Sequence, residues 1–593
     1  MKIIAKLINK TLQTQKSYIY EIIEKNRSYK GDKLMREMSP LQKERLNYKP
    51  KLAGVLANGI NNIKLTLGDK TSSVSNQEEI KELFPNVFGQ PIAKFAAAGE
   101  NLSTEQKNVG VILSGGQAPG GHNVIAGLFD ALKTQNKENK LYGFLGGPSG
   151  IVDGKYIELT DEIIDSYRNT GGFDIIGSGR TKLETQDQFQ KALVVCNNLN
   201  INAIVIIGGD DSNTNACLLA EWMKKNNTGI SVIGCPKTID GDLKNDQIEI
   251  SFGFDTATKT YAELIGNIQR DANSAKKYWH FIKLMGRSAS HVCLEAALQT
   301  QPNITLIGEE VEQKQQSLDQ IVSYIANIVA KRAAIGKNFG IALIPEGLIE
   351  FIPEMKVMIA SLNDLLAQLE KDSSYQNLSQ QEKYNAIASK LDSIQAKLFQ
   401  SLPNQIKAQL LMDRDPHGNV QVSKIETEKL LIEMVRVKLE QMKKEGNYDG
   451  KFSDQAHFFG YEGRCAAPSN FDSDYCYSLG YNAFALIQAG LTGYLSSIKN
   501  TTKPASEWVA GGVPLTMMMN LERRHGQMKP VIKKALVELN GPVFSALENN
   551  REKWAMNDCY IFPGAIQYFG PSSVCDNTTI TLQLEQEKTL VNV

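Results

Sequence analysis

What most limits the fold of this chain is a unit that recurs through its middle. Short apolar runs rich in β-branched residues end in glycines and lead into helix-patterned stretches. The runs are Val109–Leu113, Ala203–Ile207, Ser231–Gly234, Phe281–Leu284, Ile304–Ile307 and Gly340–Ile344. Strands that are apolar throughout are buried on both faces, and their alternation with helices implies an α/β fold with parallel sheets. Ligands of such sheets bind beyond the C-terminal strand ends. Every unusual segment of the chain stands there: SGGQAPGG, GGDDSN, PKTIDGD, MGRS and PEG.

Three stretches depart from the unit. Residues 1–105 read as a mixed, largely helical N-terminal extension, turn-rich near Thr71–Gln77 and without evident chemistry. Within 355–445, Leu362, Leu365, Leu366 and Leu369 repeat at helical spacing, as do Tyr384, Ile387, Leu391, Ile394 and Leu398. That spacing predicts amphipathic helices inserted into the α/β body. The segment 526–593 packs on the body, and its TTITLQLEQ alternates like a short strand.

At 593 residues the chain has room for several domains. Its 65 basic and 65 acidic residues cancel, which argues against electrostatic recruitment to nucleic acid or an acidic membrane. No apolar run approaches the roughly 18 residues a membrane helix needs. The eight cysteines form no CxxC and no cluster with zinc spacing, as expected of a cytoplasmic protein with reduced thiols.

The chemistry concentrates in five places. In Ser114–Asn123, glycines including Gly115 and Gly116 let backbone N–H groups converge on an anion before a helix N-terminus. A tight βα turn without a ligand explains this loop almost as well. Asp210 and Asp211, at the next strand end, form a carboxylate pair suited to Mg²⁺. They are equally explained as acids complementing a helix dipole. Pro236–Asp242 is the most informative segment. Asp240 and Asp242 point the same way in an extended loop, so one can take a proton while the other orients or tunes it. Lys237 adds a cation for developing phosphoryl charge. Met285-Gly286-Arg287 and Tyr461-Glu462-Gly463-Arg464 supply arginines that bind phosphate bidentately, and Glu346 supplies a carboxylate for sugar hydroxyls. Each of these alone is an ordinary surface ion-pair partner.

Taken in order, SGGQAPGGHN, GGDDSNTNA, PKTIDGDL, MGRSASH and GYEGRCAAPSNFD resemble the phosphofructokinase family over about residues 107–525, and within it the long pyrophosphate-dependent branch. The resemblance implies two Rossmann-like domains: a phosphoryl-donor domain over 106–275 and a fructose 6-phosphate domain over 276–525 that carries the insertion. It implies reversible phosphoryl transfer from pyrophosphate to fructose 6-phosphate, with phosphate as product and Mg²⁺ as cofactor. Asp240 matches the general base, Asp242 its supporting acid, and Thr238 a hydroxyl that contacts substrate. Asp210 matches the Mg²⁺-linked aspartate, and Arg180 an arginine near the transferring group. Gly115 and Gly116 match the donor-phosphate loop. Met285, Gly286, Arg287, Glu346, Tyr461 and Arg464 match the sugar-phosphate pocket. Lys277 and Tyr278 match a segment that reaches a neighbouring subunit's substrate, which implies a homo-oligomer.

ATP-using relatives have glycine at the positions of Asp211 and Lys237. A carboxylate there would crowd and repel a nucleotide's α-phosphate, and a lysine would compensate the compact charge of pyrophosphate. Tyr278 stands where many ATP-using relatives have arginine, and the allosteric site of the bacterial ATP enzymes has no recognisable counterpart. The competing readings are an ATP-dependent enzyme that tolerates Asp211 and a non-catalytic regulatory subunit. The latter should have lost Asp240, Asp210 or Arg287, and all three are present.

Overall fold

The computed structural model describes residues 38–98, 105–369, 373–412, 424–524, 527–565 and 576–591. The lysine-rich N-terminal stretch and Cys575 lie outside them. The chain divides into two units, one ending at Asn47 and the other running from Tyr48. In the first, helix Pro40–Leu46 starts where the Ser39 hydroxyl accepts a bond from the Gln42 N–H at 3.2 Å.

The described strands of the second unit are β1 (Ile63–Lys70), β2 (Pro91–Ala97), β3 (Asn108–Leu113), β4 (Lys140–Phe144), β5 (Tyr156–Leu159), β6 (Ile201–Gly208), β7 (Ser231–Pro236), β8 (Trp279–Leu284), β9 (Ile304–Thr305), β10 (Gly340–Pro345), β11 (Asp454–Phe459), β12 (Tyr494–Lys499), β13 (Val509–Pro514), β14 (Met519–Arg524) and β15 (Gln527–Ile532). One sheet has the order β1-β2-β13-β12-β7-β6-β3-β4-β5, and a second has the order β11-β8-β10-β9. The block β12-β7-β6-β3-β4 is parallel, with antiparallel strands at both edges. The second sheet is parallel throughout.

Alternate residues on each central strand feed different cores, as a period of two requires. From β6, Ala203, Val205 and Ile207 join one cluster while Ile204 and Ile206 join another on the opposite face. From β8, Ile282 and Leu284 share the first cluster, whereas Trp279 and Phe281 meet the helices of the insertion. One core therefore lies between the two sheets and aligns their C-terminal strand ends. Helices Gly121–Gln135 and Asn470–Gln488 cross this core almost backbone to backbone. A Cβ on Gly127 would stand 2.0 Å from the Tyr477 carbonyl, and one on Gly480 would stand 1.9 Å from that of Val124.

The six expected runs are strands, although β9 is cut to two residues because Ile307 opens helix Gly308–Gln313. Four expectations are corrected. Residues 63–97 are not largely helical, since β1 and β2 extend the large sheet. Ala93 and Phe95 face the core while Lys94 between them is exposed, the alternation of a strand with one covered face. Strands β12 and β13, placed by sequence with the second domain, return to the first sheet. TTITLQLEQ is not a strand: helix Ile580–Val591 covers most of it. The buried Glu295 carboxylate accepts bonds from the Ile580 and Thr581 N–H groups at 3.0 and 2.8 Å and so anchors that helix start. Finally, the pattern from Tyr384 to Leu398 breaks at Asp392, whose carboxylate accepts from the Ile394 and Gln395 N–H groups and caps a new helix. Ile394 is left 76% exposed. In the preceding helix Pro353–Leu369, Leu362, Leu366 and Leu369 are buried against the second sheet's outer core, as their spacing requires.

Candidate active site

The strand-end loops of both sheets meet in one cleft. Two glycine loops are tied together where the Ser212 hydroxyl donates to Ser114 Oγ at 2.8 Å. The Gly115 N–H bonds to the Gly179 carbonyl at 2.9 Å, which sets Arg180, exposed, beside the first loop. Asp210 and Asp211 open helix Asp210–Lys225 in its first turn, where the dipole favours negative charge.

Lys237 follows β7 and is buried. Its ammonium would be 3.4 Å from a Cβ on Gly115, so it faces the first loop. Burial pulls its pKa down to about 8, Arg464 and Arg180 add to the fall, and Asp240 and Asp210 oppose it. The Thr238 hydroxyl accepts from the Asp240 N–H at 3.0 Å and folds the loop. Asp240 Oδ1 is buried and has no hydrogen-bond partner among the described residues. Burial, then repulsion from Asp240, raises the Asp242 carboxyl to about 7, against the pull of Lys534.

On the second sheet, the Glu346 carboxylate accepts from the Gly286 N–H at 2.9 Å and is buried. Burial raises its pKa despite that bond. Arg287, after β8, and Tyr461, after β11, are exposed. Arg464 stands at the seam between the sheets. Its Nε–H points to Met285 Sδ at 2.7 Å, its guanidinium donates to the Gln117 carbonyl at 3.3 Å, and a Cβ on Gly116 would collide with it at 2.1 Å. The sequence put Arg464 with the sugar phosphate, yet it touches both loops.

Lys277 and Tyr278 are not brought to this cleft. They precede β8, while Met285 follows it, so the strand separates them by roughly 25 Å. The Lys277 ammonium lies 4.9 Å from the centre of the Tyr278 ring.

The cleft also holds a residue the sequence reading missed. Lys534, after β15, has its ammonium 3.4 Å from Asp210, 3.8 Å from Asp242 and 2.7 Å from the Ser288 hydroxyl. Burial lowers its pKa, but Asp210, Asp242 and Asp240 outweigh burial and raise it overall. The second of two adjacent lysines in a mixed segment carries no local signal of such a place.

The arrangement suits transfer of an anionic group: convergent amides and buried cations face carboxylates that take protons. The family profile described as "Phosphofructokinase" matches residues 108–487. The chain belongs to the phosphofructokinase family. Over 548 residues it is 58% identical to a "Pyrophosphate--fructose 6-phosphate 1-phosphotransferase" from Porphyromonas gingivalis, an alignment that covers 92% of this chain and 99% of the relative. It is 52% identical to the β subunit of the same-named potato enzyme, covering 92% of this chain and 94% of the relative. A crystal structure of a pyrophosphate-dependent phosphofructokinase from Nitrosospira multiformis shares the fold at a TM-score of 0.51 and 16% identity, covering 80% of this chain and 98% of that one. In this phosphofructokinase, the family match takes in both glycine loops and the ends of β3, β6, β7, β8, β10 and β11 but stops short of β12 and of Lys534.

Proposed function

We propose that this chain reversibly transfers a phosphoryl group from pyrophosphate to the 1-hydroxyl of fructose 6-phosphate, giving fructose 1,6-bisphosphate and phosphate. The observation that carries the reading is the buried Lys237 ammonium aimed at the Gly115 loop, in the same loop after β7 as Asp240. That is a short, highly charged donor pocket, and the similarity to relatives named for pyrophosphate supports it.

Asp240 is the general base. Its unpartnered Oδ1 accepts the hydroxyl proton as the sugar O1 bonds to phosphorus and the donor's bridging P–O bond breaks, releasing phosphate. Asp242, whose carboxyl burial and Asp240 push up, supports it. Lys237 and Arg180, beside the Gly115–Gly116 loop, neutralise the equatorial oxygens. Arg287, Arg464 and Tyr461 bind the 6-phosphate end, Met285 and Gly286 shape the pocket floor, and Glu346 accepts sugar hydroxyls. Thr238 holds the loop and can also donate to substrate.

Among the described residues no group of three or more His, Cys, Asp or Glu side chains forms a metal cage. This fits Mg²⁺, which keeps waters and takes one or two carboxylates plus substrate phosphates. Asp210 would hold it, and it would neutralise the donor's phosphates. The same reading includes a cytoplasmic homo-oligomer. Buried free thiols such as Cys217 and Cys235 suit a reducing compartment, and no helix of the described residues is long and apolar enough to cross a membrane.

The test is a coupled assay with fructose 6-phosphate and Mg²⁺, offering pyrophosphate and ATP separately. Turnover with pyrophosphate alone is expected. Turnover with ATP alone would overturn the reading of Asp211 and Lys237, and turnover with neither would revive the regulatory-subunit alternative.

A further inference from the structure

The end of β15 and the strap that follows it are bonded into the cleft. The Ile532 N–H donates to Thr214 Oγ1 at 3.2 Å and the Lys533 N–H to the Met518 carbonyl at 2.9 Å. The Ala535 N–H donates to the backbone carbonyl of Asp242 itself at 2.8 Å. The Ala535 carbonyl accepts from His291 Nε2 at 2.9 Å, and the Val537 N–H donates to Glu309 at 3.0 Å. Burial drives the His291 pKa down to about 3, so the ring stays neutral and keeps the proton it donates. This frame carries one side chain into the acids. Lys534 spans Asp210 on one loop, Asp242 on another and the Ser288 hydroxyl on the second sheet. A lysine free to reach solvent would gain nothing from such a frame, since exposed pairs contribute little.

We infer that Lys534, supplied from beyond the family core, is a positioning residue for phosphoryl transfer. Its ammonium holds the Asp210 and Asp242 carboxylates in register across the cleft and limits how strongly Asp210 attracts a divalent cation. The inference rests on the proposed reaction for its kinetic consequence, but not for its effect on cation binding.

Two measurements separate the two. The first is Mn²⁺ binding by the free full-length protein, by calorimetry, with Mn²⁺ standing in for Mg²⁺. Lys534→Met removes a competing positive charge, so its Kd should fall about fivefold. The second is pyrophosphate-dependent turnover. Lys534→Met should lose about 100-fold in kcat while KM for fructose 6-phosphate stays within about threefold, and Lys534→Arg should recover at least about tenfold of that loss. A lysine that merely supports the fold would instead weaken Mn²⁺ binding and lower the melting temperature.

Unchanged Mn²⁺ affinity in Lys534→Met, or an arginine variant no better than methionine, overturns the inference. Should Lys534→Met fail to fold, Ser288→Ala releases the ammonium without removing it. Wild-type Mn²⁺ affinity and kcat in that variant would likewise overturn the inference. No turnover by the unaltered chain counts against the proposed reaction alone, because the Mn²⁺ comparison still stands.

Discussion

The two sides of the cleft are built differently. On the first sheet, the charged groups are buried and pinned: Lys237 faces Gly115, Asp242 is held by the 533–537 strap, and the glycine loops are joined through Ser114 and Ser212. On the second, the Glu346 carboxylate accepts from the Gly286 N–H, and Arg464 donates across to the Gln117 carbonyl. Arg287 is exposed, Tyr461 is 71% exposed, and Lys277 and Tyr278 stand at the far end of β8. A preorganised pocket needs no rearrangement at the moment of reaction. The donor side meets that condition within one chain. The sugar side does so only if another copy brings its own Lys277 and Tyr278.

The sharpest way to break this contrast is to silence one side. Asp240→Asn keeps the size of the side chain and removes the base, so kcat with pyrophosphate should fall about 1,000-fold. The melting temperature should hold or rise, because the lost charge is a buried carboxylate oxygen without a partner. A variant that kept near-normal turnover would remove Asp240 from the mechanism. The sugar side is tested next. Lys277→Ala should raise KM for fructose 6-phosphate about tenfold with little change in stability, since Lys277 is exposed. If subunits share sites, Lys277→Ala co-assembled with Asp240→Asn should regain about a quarter of wild-type activity in a randomly mixed dimer. No gain above the two variants alone would mean that each chain completes its own pocket.

The same contrast governs what the sequence could reveal. Donor-side residues sit in unbroken segments after apolar strands, and a lysine with two acids at such a place is costly unless used, so Lys237, Asp240 and Asp242 stood out locally. The strands β3, β6, β7, β8 and β10 were legible because burial on both faces demands continuous apolar runs. Strands β1 and β2 were not, because strands on the sheet's half-exposed flank, such as Pro91–Ala97, mix exposed lysine with buried alanine. Lys534 was invisible for a different reason: its place depends on a strap whose bonds come from Asp242, His291 and Glu309, distant in sequence. The strand expected at TTITLQLEQ failed for the same kind of reason, since Glu295 anchors that helix from another part of the chain.

Donor choice gives a smaller effect. Asp211→Gly together with Lys237→Gly should open space and remove charge where a nucleotide's α-phosphate would lie, raising the ATP-to-pyrophosphate ratio of kcat/KM at least about tenfold. An unchanged ratio would place donor selection outside these two positions.

The smallest expected effect concerns stability and turns on Lys237. Holding an ammonium where burial lowers its pKa from 10.5 to about 8 costs on the order of 3 kcal/mol as an upper bound. Lys237→Met should therefore stabilise the fold, by roughly 1–3 kcal/mol near neutral pH, while abolishing pyrophosphate use. The sign with pH follows from the lowered value. Below about 8 the folded protein carries the full cost of the buried charge. As pH rises from about 8 towards 10.5, the folded form has shed the proton while the unfolded form keeps it, so the wild type gains stability and the gap to the variant closes. Activity runs the other way, because kcat/KM of the wild type should decline on the alkaline side near pH 8 as the cation is lost. On the sugar side, Glu346→Gln should give a smaller gain with the opposite pH dependence, since burial raises the Glu346 pKa and the Gly286 N–H offsets this only in part. Denaturant melts of the two variants across pH would therefore show whether the donor side carries the larger uncompensated charge for the sake of its substrate. Equal gains from both substitutions would erase the distinction between the two halves of the cleft.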